Sequence, residues 1–321
     1  MKSFYKILEI AKKVIITESD AVSKLVDQLN DDFVAVVELI LSSEGRLIVA
    51  GVGKSANVGS KIVATFNSTG QPAIFLHPTD AIHGDLGNIQ KNDIVICISK
   101  SGSTSEIEYL LPIIKNMGNK IIAITGNTDS YLAVEADFVI DTTVNKEACP
   151  YNLTPTSSST AQLVIGDALA ICLLECRNFS DKDFARFHPG GTLGKRLYLK
   201  VSDIAKNNKI PSVQVFDKIN SVIIEISQKR LGATAVLDDA QLVGIITDGD
   251  LRRMLEKGKK IDKVIARDIM NYQPRTISSS ILAIEALKIM KEHNITQLLI
   301  VDNKNYMGII HMHDILKEGI A

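Results

Sequence analysis

The chain has no tryptophan, only four cysteines in 321 residues, and apolar residues that come in short runs. Cys97, Cys149, Cys172 and Cys176 are too few and too unevenly spaced for a disulfide framework, so a reduced, cytoplasmic setting is expected. Cys172 and Cys176 can share a helix face, but with no Cys/His pair nearby in sequence, core packing is favoured over metal ligation. No stretch is expected to be long and apolar enough to span a bilayer. The opening MKSFYKILEIAKKVI scatters lysine among its apolar residues, which excludes a secretory signal block. Charge of one sign is missing too. With 36 basic against 37 acidic residues the net charge is −1, which argues against a nucleic-acid or anionic-membrane surface and leaves a small molecule or a protein as partner. Eight prolines and 45% hydrophobic residues exclude a disordered chain, and the length exceeds one ordinary domain.

The segment up to about Leu41 carries apolar residues at helical spacing, such as Leu25, Leu29, Phe33, Val36, Val37 and Ile40. Beyond it, RLIVAGVG, AIFL, DIVICIS, KIIAITG and DFVIDT alternate with helical stretches near 57–68, from Thr104, and near 157–176. Continuous apolar strands joined by helix-length crossovers predict an α/β, doubly wound, five-stranded parallel sheet over residues 1–200. Ligands of such sheets bind beyond the carboxyl ends of the strands, which puts GVGKS, SKSGSTSE and ITGN on one rim. From Val201 onward the chain repeats itself. Gly244-IITDGDLRR aligns with Gly308-IIHMHDILK, 64 residues later, and Asp250 meets Asp314 at the same offset. Two small β-α-β-β-α modules follow, at 201–264 and 265–321, each unable to bury its apolar face alone.

The run Asp93–Glu106 carries the most chemistry, because an apolar strand breaks there into small hydroxyl and glycine residues and then enters a helix. Ser99, Ser101, Ser103 and Thr104 offer rotatable O–H donors, Gly102 lets the backbone approach an anion, and the helix start adds its N–H groups. One helix cap needs one hydroxyl, and this turn supplies more. A small phosphate ester fits better than a triphosphate, since no glycine–lysine–serine run follows. GVGKSA matches G-x-G-x-x-A formally, but AIFL runs into His77 and Pro78 where a dinucleotide fold needs an acidic residue. A Walker A motif fails as well, at Ile48. What survives is a turn presenting Lys54 and Ser55. His83 in AIHGDLG and His188 in the rigid HPGG turn are candidate imidazoles, Glu106 sits in a first helical turn, and Glu147 lies on a rim loop where spacing alone suggests a surface charge. A phosphate anchor, two carboxylates, two imidazoles and a lysine suffice to move a proton between adjacent carbons of a phosphorylated sugar.

These residues resemble a known family. Ser99, Ser101, Gly102, Thr104 and Glu106 fit the S-x-S-G-x-T/S-x-E hallmark of the sugar isomerase (SIS) domain, which has a flavodoxin-like fold. GVGKS, STGQPAIFLHPTDAIHGDLG, KEACPYNLTPTSSSTA and FHPGGTLGK are similar to the arabinose-5-phosphate isomerases, and the tail resembles the tandem CBS pair which that family carries. The resemblance implies interconversion of D-ribulose 5-phosphate and D-arabinose 5-phosphate for Kdo synthesis, without a cofactor. Lys54, Glu106, Glu147 and His188 occupy catalytic positions, while Ser55, His83, Ser99, Ser101, Gly102 and Thr104 would contact substrate. It further implies a nucleotide or nucleotide-sugar at the CBS modules, through Thr247, Asp250 and Asp314, and a homotetramer. His83 and His188 could also take an inhibitory divalent metal. His311 replaces the Thr of the second CBS copy, Ala205 replaces a Met, and many relatives carry Asn and Glu where this chain has Lys100 and Ser103. On this basis Glu147 is the expected C–H base and His188 the ring-opening or hydroxyl-proton group, with the reverse assignment open. Lys54 and His83 would stabilise the enediolate, and Glu106 would orient Lys54 or a hydroxyl. Two alternatives remain: a non-catalytic sugar-phosphate sensor with CBS regulatory modules, and an isomerase of another phosphosugar.

Overall fold

A computed structural model describes residues 4–320, so the first three residues of the expected SIS domain and Ala321 of the second CBS module lie outside the described residues. The chain divides into two units, one ending at Phe187 and the next beginning at His188. The HPGG turn opens the second unit.

In the first unit, helices α1 (Phe4–Gln28) and α2 (Asp31–Ser42) precede β1 (Leu47–Gly51), α3 (Lys54–Ser68), β2 (Ala73–Leu76) and the short α4 (Pro78–Ile82). There follow β3 (Ile94–Ser99), α5 (Ser105–Met117), β4 (Lys120–Thr125), α6 (Tyr131–Glu135), β5 (Phe138–Asp141), α7 (Ser157–Cys176) and α8 (Asp181–Phe187). The strands form one parallel sheet in the order β2-β1-β3-β4-β5. Every residue of β1 and β3 is buried, because helices cover both faces. Alternation sorts the strands between two cores. Leu47, Val49, Ile96 and Ile98 pack with Phe33, Ile62, Phe66 and Leu169, whereas Ile48, Ala50, Val95 and Cys97 pack with Ile107, Leu110, Leu111 and Ile114. Burial pushes the Cys97 thiol up to about 12, so it behaves as a small hydrophobe.

The expectation about bilayer-length segments needs correction, since α7 is long and apolar enough to cross a membrane by length and composition. Its apolar residues serve the unit's core. Ala161, Ile165, Leu169 and Leu173 are buried, the helix packs against α1, α2 and α3, and Gly166 lies directly against Ile62. A helix with neighbours on several sides has no need of a polar stripe.

The second unit begins with α9 (Thr192–Tyr198) and α10 (Val201–Ala205). The first repeat module runs through β6 (Ser212–Gln214), α11 (Ile219–Lys229), β7 (Ala233–Asp238), β8 (Gln241–Thr247) and α12 (Asp248–Glu256). The second runs through β9 (Thr276–Ile277), α13 (Ala283–Glu292), β10 (Gln297–Asp302), β11 (Asn305–His311) and α14 (Met312–Lys317). Each builds a three-stranded sheet, β6-β7-β8 or β11-β10-β9, with a register shift at Val236/Leu237 in one and Ile300/Val301 in the other, positions that the repeat superposes. The two sheets meet through Leu231, Ala233, Ala235, Leu299 and Ile309. The modules also exchange their leading segments. Val201 and Ile204 are buried with Leu287, Leu298 and Ile310 of the second module, whereas Val264, Ala266 and Met270 are buried with Val222, Val236 and Ile246 of the first.

Candidate active site

Strand order 2-1-3 reverses direction between β1 and β3, and at such a switch point the loops leaving the two strands diverge and open a crevice. The loop after β1 turns at Gly53, whose φ of 61° favours glycine, and it delivers Lys54 and Ser55 as the first residues of α3. Lys54 is exposed. Ser55 Oγ donates to Gln162 Oε1 on α7 at 3.2 Å.

The loop after β3 is built by its own hydroxyls. The Gly102 N–H donates to Ser99 Oγ at 3.1 Å, and Ser99 Oγ lies 2.9 Å from Thr104 Oγ1. The Ser103 N–H donates to Ser101 Oγ at 3.3 Å. Ser99 is buried at 3% exposure, so it shapes the loop from beneath, and its hydroxyl reaches outward through Thr104. Thr104 caps α5, whose first N–H groups face the same loop. Gly102 has φ 66°, and a Cβ there would stand 1.8 Å from Ser130 Oγ, so only glycine fits. Glu106, in the first turn of α5, takes a hydrogen bond from Ser105 Oγ at 2.9 Å. Its own backbone N–H, the Ser105 hydroxyl and, more weakly, the imidazole of His77 hold its carboxyl below the usual range.

Glu147 departs from its expected exposure. Its side chain has no accessible surface, and both oxygens are occupied. Oε1 receives Ser158 Oγ at 2.5 Å and pairs with Lys100 Nζ at 2.8 Å. Oε2 receives the Thr156 N–H at 2.8 Å, Thr156 Oγ1 at 3.0 Å and the Ser158 N–H at 3.2 Å. The carboxylate thus sits on the N-terminus of α7 much as a bound anion would. Burial works against the charge, but Lys100 and the Ser158 and Thr156 donors outweigh it and hold the carboxyl at about 2. A carboxylate so stabilised and so fully bonded is a weaker proton acceptor than a free glutamate.

The remaining candidates spread more widely. His83 is exposed at the end of α4, which packs against α5. His188 belongs to the second unit, where its carbonyl accepts the Gly191 N–H at 3.0 Å in the HPGG turn. His83 and His188 therefore lie in different units, and no group of three or more metal-ligating side chains exists among the described residues. In the first CBS module, Thr247 and Asp250 form a capping box on α12, with Thr247 Oγ1 donating to Asp250 Oδ2 at 2.6 Å. They line a cleft of about 410 Å³ together with Arg253 and Arg275. Asp314 instead accepts from Asn208 Nδ2 at 2.9 Å, and His311 replaces the Thr cap with its ring, Nδ1 accepting the His313 N–H at 3.0 Å.

Lys100, Thr156 and Ser158, which fix Glu147, and His77 beside Glu106 were not singled out from the sequence as functional. Position offered the only signal: His77 follows a strand end, Lys100 stands inside the hydroxyl loop, and the Ser/Thr-rich LTPTSSST follows Glu147.

Comparison with known proteins agrees with this layout. The SIS domain family matches residues 40–172 and the CBS domain family residues 201–257 and 266–320. Arabinose 5-phosphate isomerase KdsD of Pseudomonas aeruginosa is 48% identical over 97% of this chain and 96% of its own, and that of Escherichia coli K12 is 41% identical over 98% and 96%. A solved structure of an E. coli CFT073 protein in complex with arabinose 5-phosphate aligns at TM-score 0.57 with 39% identity, covering 59% of this chain and 100% of that one. With a sugar isomerase sheet, a paired CBS tail and relatives matched almost end to end, the chain belongs to the arabinose 5-phosphate isomerase family of SIS-domain proteins.

Proposed function

We propose that this protein interconverts D-ribulose 5-phosphate and D-arabinose 5-phosphate through a cis-enediol and so supplies Kdo synthesis. The observation that carries it is the self-braced hydroxyl loop at the sheet's switch point, flanked by Lys54 and Glu106 on neighbouring helix starts. The phosphate is held by Ser101, Thr104 and the N–H groups that open α5, with Ser55 and His83 beside it. Ser99 and Gly102 shape that cradle. Lys54 stabilises the enediolate oxygens. Of the two residues that the family resemblance implies for the C–H step, Glu147 is fully bonded, so on the strength of that resemblance the step is assigned to His188. It takes the C2 hydrogen of the open-chain aldose as a proton and returns it to C1, while Glu106 helps the hydroxyl proton pass from O2 to O1. Glu147 serves as the fixed anion that orders Lys100 and the start of α7.

Residues 1–200 make the catalytic domain, and the CBS modules over 201–264 and 265–321 regulate it. The cleft at Thr247, Asp250, Arg253 and Arg275 suits a nucleotide or nucleotide-sugar. Asp314, tied to Asn208, is a poorer candidate. Exposed Ile7, Ile15, Ile16 and Val26 on α1 favour self-association into a homotetramer, and free cysteines are in keeping with the cytoplasm.

The test is isomerisation in D2O, followed by NMR. Wild-type protein converts ribulose 5-phosphate to an aldose phosphate and places deuterium at the transferred carbon. H188N loses this wash-in while still binding inorganic phosphate, and E147Q keeps it at reduced rate. No aldose phosphate from wild-type protein would leave the sensor, and wash-in lost in folded E147Q but kept in H188N would reverse the assignment.

A further inference from the structure

Lys100 lies inside the hydroxyl loop, between buried Ser99 and exposed Ser101. Its carbonyl accepts the Gly126 N–H at 3.2 Å, which pins its backbone to the loop after β4. Its side chain is 42% exposed, whereas that of its partner Glu147 is 0% exposed, so the lysine spans from the open rim down to a buried carboxylate. An ammonium has three donors. Among the described residues Glu147 is the protein partner of this one, at 2.8 Å.

Two needs meet at this nitrogen. A buried carboxylate requires a counter-charge, or its burial becomes costly. A phosphate monoester at the hydroxyl loop brings up to two negative charges to a cradle of neutral donors, with Lys54 across the crevice on α3. An Asn at this position could supply a hydrogen bond but not the charge.

Resting on the phosphate-loop reading above, we propose that Lys100 is a binding and positioning residue whose ammonium bridges Glu147 and the substrate phosphate, so that the buried carboxylate aims a cation at the anion. The ion pair then acts as a preset arm. Glu147 is held by the N-terminus of α7, Lys100 is held by Glu147, and the charge-assisted contact to phosphate costs little further ordering.

The test compares wild type, K100M and K100R by calorimetric titration with inorganic phosphate and by steady-state kinetics. A lost charge-assisted hydrogen bond corresponds to roughly a tenfold change in affinity. K100M should therefore raise the phosphate Kd and the sugar-phosphate KM by about tenfold while kcat changes much less, and K100R should recover most of that loss. A phosphate Kd and KM within about twofold of wild type in folded K100M would overturn the proposal and leave Lys100 as a partner of Glu147 alone. Should K100M not fold, the side-chain Cε–Hε resonance of Lys100 in the wild-type protein decides. It shifts on adding inorganic phosphate if the ammonium bridges, and stays fixed if it does not. Wild-type protein that binds phosphate but does not isomerise would defeat the proposed activity and spare this inference, because the titration needs no turnover.

Discussion

Glu147 provides a test of the site that does not depend on catalysis. The folded protein holds its carboxyl at about 2 against an ordinary value of 4.5, so folding favours the ionised form. At about 1.4 kcal/mol per pH unit, that difference is worth roughly 3 kcal/mol. The sign follows from the depression: this stability is present above about pH 4.5 and is lost as the pH falls toward 2. By pH 3 the unfolded chain has taken up its proton while the folded one has not, and roughly 2 kcal/mol of the contribution is gone. Replacing Glu147 with Gln removes the titration, leaving other carboxylates to cancel in the comparison.

The expected result is a gap between wild-type and E147Q unfolding free energies that narrows by about 2 kcal/mol between pH 6 and pH 3. The two units can unfold separately, so the readout must belong to the first. Methyl resonances of Ile165 and Leu169, both buried on α7, followed through urea at each pH, serve this purpose. A gap that stays constant, or a Glu147 carboxyl carbon titrating near its ordinary value, would show that Lys100 and the α7 donors do not outweigh burial.

Other outcomes follow from the same geometry. G102A forces a side chain into a left-handed position and onto Ser130 Oγ, so it should lower the melting temperature and abolish calorimetric phosphate binding at the loop. T247A removes the α12 cap and should cost the second unit about 1 kcal/mol, seen as faster hydrogen exchange at the Asp250 amide that Thr247 Oγ1 now accepts. Backbone N–H groups of Thr154, Leu153 and Tyr151 pull the Cys149 thiol down to about 7, whereas burial lifts Cys97 to about 12. Iodoacetamide at pH 7 should therefore label Cys149 well before Cys97, as mass spectrometry of the peptides would reveal.

The doubly wound sheet was legible because buried parallel strands have a signature of their own, and the crossover helices could be placed for the same reason. The helix expected near 157–176 spans Ser157–Cys176, and the one expected from Thr104 starts at Ser105 with Thr104 as its cap. Short helices such as α4 and α6 carry too little periodicity to be seen. The hydroxyl loop stood out because its chemistry is contiguous. The surroundings of Glu147 did not, since a glutamate on a loop looks the same in sequence whether water or a helix N-terminus receives it. Its burial depends on Lys100, which arrives from another loop and is distant in sequence. His188 shows the converse. Its turn was legible from Pro-Gly-Gly, but its membership of the second unit depends on where α9 packs, and α9 contacts α13.

The CBS tail shows where a linear boundary and a physical one part company. Read along the chain, one module ends and the next begins near residue 264, yet Val264, Ala266 and Met270 complete the first module's core and Val201 and Ile204 complete the second's. Backbone pairing follows the exchange. Val201 donates to Ile281 at 2.9 Å, and Ala266 donates to Asp217 at 2.8 Å. A module excised at residue 264 would lose two buried side chains of its own core, Ala266 and Met270, and expose two that belong elsewhere, Val201 and Ile204. Neither half is a folding unit by that measure, so the pair should unfold in one cooperative step. A ligand bound beside Thr247 would stabilise both modules, because each core contains a segment of chain that leads into the other.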